Sequence, residues 1–105
     1  MAWVLLVVAG IFEIGWAIAL KYTEGFSRLW PTVLFTLSML VSVWLLAVAL
    51  KTIPVGTGYA VWTGIGAAGT AILGIVLLGE SRDGWRIFSI VLIITGIVSL
   101  KLSSS

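Results

Sequence analysis

Four long apolar runs, broken by three short polar stretches, organise this chain. The runs fall near residues 2–20, 30–50, 56–79 and 86–102. Each is close to the roughly 20 residues that a helix needs to cross a hydrocarbon core. The breaks "KYTEGFSRL", "KTIP" and "ESRDGW" collect the charges and turn formers that connections in water use. Pro31 and Pro54 stand where a helix is about to begin, a place where a missing N–H costs nothing. Trp3, Trp30 and Trp85 open their spans, as in an aromatic belt at the headgroups. The pattern predicts an all-α integral membrane protein, with four transmembrane helices forming one domain over residues 1–105 and a short "SSS" tail.

Composition moves the picture further the same way. The chain is 61% hydrophobic and 10% charged, with a mean hydropathy of +1.24, against roughly 45–50% and about 25% in soluble domains. Cysteine and histidine are absent. That excludes disulfides and thiolate metal sites and removes the commonest metal ligand and general base. A net charge of +2 is too small for a nucleic-acid patch. Met-Ala-Trp lacks the basic start of a secretory signal, so the first run is expected to be a retained helix in a multi-pass protein of the cell's inner membrane. Nothing assembles a nucleophile, a base and an oxyanion site, so an enzyme is not expected.

Charge is divided weakly between the two faces. An even number of spans puts Lys51 and Lys101 on one side and Lys21, Arg28, Arg82 and Arg86 on the other. Orientation follows such asymmetry, and a split of four against two, narrowed by an N-terminal amine, suits a chain that inserts both ways. Four short helices also enclose little interior, which favours oligomerisation. Gly56, Ala60, Gly64 and Ala68 form a small-residue ladder suited either to a dimer seam or to packing within one chain.

One residue breaks the oil. Glu13 sits in "VVAGIFEIGWAIALK", roughly 15 Å into the first helix at about 1.5 Å per residue. An ionised side chain there costs about 2.5–3.5 kcal/mol even on lenient scales, and intramembrane acids are functional by default. A structural ion pair is the alternative, yet every base lies at a span end or in a loop; Lys101 comes nearest. Helical spacing puts Gly10, Trp16 and Ala17 on the face of Glu13. Gly10 and Ala17 leave space, and Trp16 offers an indole N–H. In "GYAVWTGIG", Tyr59 and Trp62 share a face, and Ser42 is a lone hydroxyl in "MLVSVWLL". Singly these have plain explanations: Ser42 bonding back to its own helix, Trp62 facing lipid. Together, one anion, several donors and aromatic faces suit a small cation. Gly64 and Gly66 permit a bend in the third helix or serve its packing.

The segments "AGIFEIGWAIALKYTEGFSRLWP", "PVGTGYAVWTGIGAAGTAILGI", "LLGES" and "GIVSLKLS" resemble the small multidrug resistance family, and within it the guanidinium-exporter subtype, over the whole chain. The resemblance implies an antiparallel, dual-topology homodimer that exports a cation in exchange for protons, with Glu13 as the shared proton and substrate site. It implies that Trp16 and Ser42 hold the two glutamates by hydrogen bonds, and that Tyr59 and Trp62 line the site. Trp16 separates the guanidinium subtype from the quaternary-ammonium subtype, and Gly10, Ala17, Met39, Ala60, Ala67 and Lys101 also read like the former. Gly58 departs from the alanine many members carry, and "FSRLWP" is shared with multidrug members; a broad quaternary-ammonium exporter is therefore the alternative. A small membrane scaffold is a rival of a different class.

On that reading the partners are guanidinium, protons, the lipid bilayer and a second copy of the chain, with no nucleic acid and no cofactor. Guanidinium, with a pKa near that of Arg and far above neutrality, never sheds its charge in the cell. A carboxylate meets its plane with two parallel N–H···O bonds that ammonium cannot copy. Protons and cation exclude each other from one acid pair that titrates as a unit, and alternating exposure turns exclusion into exchange.

Overall fold

The computed structural model describes residues 1–103; the last two serines of the tail, residues 104–105, lie outside the described residues. Four helices follow in order: α1 Ala2–Tyr22, α2 Leu29–Ala49, α3 Val55–Leu78 and α4 Gly84–Ser103. All four are long and apolar enough to cross a membrane, and their ends fall within two residues of the runs read from the sequence. Pro54 caps α3, but Pro31 lies inside the first turn of α2, not ahead of it. The helix tolerates it there because the first four N–H groups have no intrahelical acceptor in any case.

The helices pack as a slab, 42 × 34 × 17 Å. α1 lies between α2 and α3, and α4 packs mainly on α3. Lipid is as apolar as leucine, so helices gain nothing by hiding hydrophobic surface and associate by close packing instead. Small residues accordingly dominate what is buried: Ala9, Gly10, Ala49, Gly58, Gly66, Ala68 and Gly74. Larger ones, Leu6, Leu46, Ile53 and Val61, knit the end of the bundle nearest the start of α1. The ladder of α3 divides between environments. Gly64 faces Ile93 and Ile97 of α4 and Ala68 is buried, whereas Gly56 and Ala60 stay exposed. At Gly58 the volume that a methyl would need is taken by the Leu50 side chain.

Two connections matter for the site. Between α1 and α2, Glu24, Gly25 and Phe26 all take positive φ, which for a non-glycine residue costs roughly 1–2 kcal/mol. The turn is held by buried Thr23, whose hydroxyl donates to the Leu20 carbonyl at 2.7 Å and accepts from the Phe26 N–H at 3.2 Å. It delivers the Phe26 ring onto Phe35, and Phe35 meets the edge of Trp16 at 5.7 Å between centroids. Between α3 and α4, Gly79 in the left-handed conformation ends α3, and the Glu80 N–H turns back to the Gly74 carbonyl at 3.1 Å, the closure that lets a helix stop by reusing an orphan carbonyl.

Candidate functional site: a carboxylate groove between α1 and α3

α1 and α3 run side by side in the same direction, and glycines set how closely they approach. A methyl on Gly10 would come within 2.6 Å of Ile65; methyls on Gly66 and Gly69 would overlap Glu13 and Ile14. The Glu13 carboxyl therefore lies directly on the backbone of α3 at Gly66. Gly66, like Gly64, sits in an unbroken helix and admits a neighbour, the packing role of the two roles open to this pair. Glu13 is half-buried, and its Oε1 has no hydrogen-bond partner among the described residues.

Beyond Glu13 the two helices part into a groove of about 430 Å³, lined along α1 by Glu13, Ala17 and Lys21 and along α3 by Gly66, Thr70 and Gly74. Both rows step by four residues, the spacing of neighbours on one helix face. Glu80 and Arg86 close the far end, joined by an Arg86 Nη2 to Glu80 Oε1 bond of 2.5 Å.

The other expected residues gather elsewhere. Ser42 is fully buried on α2, donates to the Ala9 carbonyl at 2.7 Å and accepts from Trp62 Nε1 at 2.9 Å. One hydroxyl thus ties three helices, one turn before Glu13. Trp62 is anchored there instead of facing lipid, and the Tyr59 ring leans against it, tilted by 54° at 5.5 Å between centroids and itself largely exposed. Within one chain, then, Ser42 holds Ala9 and Trp62, not the glutamate. Trp16 packs on Phe35 of α2 and does not line the groove, and its indole Nε1 is buried and unpartnered among the described residues. Lys101 lies over the Trp3 ring at 4.9 Å, and Trp3 is ten residues, about 15 Å, before Glu13 along α1, so this lysine is no counter-ion to the acid.

Thr70, Glu80 and Arg86 were not singled out from the sequence. A signal for Thr70 was present in the four-residue step from Gly66 through Thr70 to Gly74, which shares its face with Glu13 once α1 and α3 are paired; none marked Glu80 or Arg86. Among the described residues no cluster of acids suits a metal ion. A carboxylate inside a membrane span, with an unmet acceptor oxygen opening on a groove, can take a proton or an organic cation.

Four spanning helices around such a groove define a multi-pass membrane protein of the small-transporter type. The family model described as Small Multidrug Resistance protein matches residues 1–93, and the chain belongs to that family. It is 62% identical over 104 residues to a protein named "Guanidinium exporter" from Yersinia pseudotuberculosis serotype I (strain IP32953), covering 99% of this chain and 100% of the relative. Proteins of the same name from Escherichia coli (strain K12) and Salmonella typhimurium (strain LT2) are 60% and 55% identical, each over 99% of both chains.

Proposed function

We propose that this chain exports guanidinium across the inner membrane in exchange for protons, as an antiparallel homodimer in which the two Glu13 carboxylates form one shared site. The observation that carries the reading is the Glu13 carboxyl itself: seated on Gly66 at mid-helix, opening on a groove, with an unmet acceptor oxygen. The names of the relatives supply the substrate class, since three exporters of guanidinium match the chain from end to end. Trp16, with its buried free N–H, is the donor best disposed to hold a carboxylate plane. Gly10 brings α1 and α3 together, and Ser42, Trp62 and Tyr59 brace the adjoining turn. Gly64 and Gly66, which seat Ile97 and the Glu13 carboxyl, also leave α3 the freedom to bend during exchange. A slab only 17 Å thin, with Ile90 alone buried on α4, leaves the groove open-sided, and a second copy completes it.

Proteoliposomes under a pH gradient test this. Guanidinium should drive proton flux, and tetraethylammonium should do so far less; equal responses would make the chain a broad cation exporter. No cation-driven flux from either would remove transport altogether. A cysteine at exposed Thr52, probed from one side of intact cells, should label partially if both orientations occur. Complete labelling or complete protection would remove dual topology.

A further inference from the structure

Every buried side-chain polar atom that lacks a partner among the described residues belongs to Glu13, Trp16, Thr70 or Arg86. Three of these four residues line the same groove. Buried polar groups are nearly always satisfied, and each exception calls for an explanation. A proton and cation site at Glu13 explains the Glu13 and Trp16 atoms. It leaves Thr70 and Arg86 unexplained, one and two turns further along.

The far end of the groove repeats the construction at Glu13. Glu80 lies over Gly74 as Glu13 lies over Gly66: a methyl at Gly74 would overlap the Glu80 carboxyl. Two carboxylates thus rest on glycines of one α3 ridge, eight residues or about 12 Å apart, with the Thr70 hydroxyl midway. The local structure is built for this. The left-handed Gly79 turns Glu80 back onto Gly74, and Asp83 Oδ1 accepts the Arg86 N–H at 2.9 Å, fixing the start of α4 from which the guanidinium reaches over. What differs is occupancy. Glu80 already holds a guanidinium group, that of Arg86.

We propose that Glu80 is an outer guanidinium subsite at the mouth of the groove, and that the Arg86 side chain is a tethered occupant which a free guanidinium ion displaces on its way to Glu13. The proposal rests on guanidinium being the transported ion. Arg86 grips Glu80 through one nitrogen, and its Nε remains unpartnered. A free guanidinium ion can instead offer a carboxylate two parallel N–H···O bonds. Lys21 lines the same end, so the mouth carries net positive charge while Arg86 is closed on Glu80, and a cation enters only by exchanging with the tether. The pair is reachable from water, with side-chain exposures of 33% for Arg86 and 44% for Glu80. Past the mouth, the Thr70 oxygen is the one side-chain acceptor between the two acids on this ridge.

The test is ¹³C-guanidinium linewidth titration of the full-length protein in micelles, with tetramethylammonium as a probe that has no N–H. Glu13→Gln should lose the tighter phase. Adding Arg86→Gln should restore a weaker saturable phase, roughly tenfold stronger than in Glu13→Gln alone, the scale of one charged hydrogen bond. Adding Glu80→Gln should remove it, and tetramethylammonium should show no Glu80-dependent binding. Arg86→Lys, which keeps the tether's charge but not its planar fork, should give a smaller gain and serves if Arg86→Gln folds poorly. No gain from either Arg86 variant, a gain that survives Glu80→Gln, or equal binding of tetramethylammonium overturns the subsite. Loss of the main reading would look different: wild type and Glu13→Gln would then titrate alike.

Discussion

Around Ala9, the seam of α1, α2 and α3 is closed by Ser42 and Trp62, whose polar atoms are paired at 2.7 and 2.9 Å. One turn further on, around Glu13, the same seam opens into a groove in which the carboxylate, a threonine hydroxyl and a guanidinium nitrogen stand unpaired. Both stretches use the same materials, small residues and a few polar side chains inside an apolar bundle. The difference is that hydrogen bonds at Ser42 end on the protein, which fixes helix against helix. At Glu13 an acceptor oxygen is left without a partner among the described residues. In hydrocarbon an unmet polar group is costly, and on the reading proposed above the groove at Glu13 is kept open for a ligand.

The sharpest way to break this contrast is Glu13→Gln, which keeps shape and removes charge and titration. Guanidinium affinity should fall by about 100-fold or more, as two charge-assisted bonds are lost, and cation-driven proton flux should vanish. In the wild type a protonated acid cannot hold the cation. Affinity measured from pH 5 to 9 should therefore rise with pH through the titration of the acid pair and then level off, whereas Glu13→Gln should stay flat. pH-dependent binding that persists in the variant would place the coupling elsewhere.

Trp16→Phe tests the open side more finely. The ring contact with Phe35 is kept and the unpartnered N–H is lost. Guanidinium binding should weaken roughly tenfold while thermal unfolding in micelles barely moves. Unchanged affinity would make this tryptophan packing alone.

Ser42→Ala is the reverse probe. It strands the Trp62 N–H, while the Ala9 carbonyl keeps its place in the helical ladder of α1, and should cost about 1–3 kcal/mol of stability, read by denaturant unfolding. Its effect on guanidinium affinity should be smaller than that of Trp16→Phe. A larger effect would mean that the closed and open stretches act as one network.

The smallest effect expected lies at the mouth. Hydrogen bonds from the Arg86 N–H and then the Ser81 hydroxyl hold the Asp83 carboxyl below its ordinary value of 3.8. A depressed carboxyl adds stability that is present above its ordinary range and lost as pH falls through the lowered value. Asp83→Ala should thus lower the melting temperature slightly at pH 7, with the gap to wild type shrinking in acid. A gap that stays constant with pH would mean the cap is not electrostatic.

The sequence by itself determined the number of helices, their ends to within two residues and the one acid inside a span, because length, hydropathy and charge are local properties. A carboxylate in the middle of an apolar run stands out without any knowledge of neighbours, and so does an indole three residues away. The partner of Ser42 was another matter. Its hydroxyl crosses to the Ala9 carbonyl, 33 residues away, where its own helix was the local candidate. Nor could any spacing in "GIG" show that Gly66 receives the Glu13 carboxyl and Gly64 the Ile97 side chain. Glu80 and Arg86 read as ordinary loop and helix-end charges until the left-handed turn at Gly79 folded one back and the Asp83 cap aimed the other. Those facts belong to the approach of one helix to another. That approach is set by which glycines face which side chains, a relation between segments that only the packed structure decides.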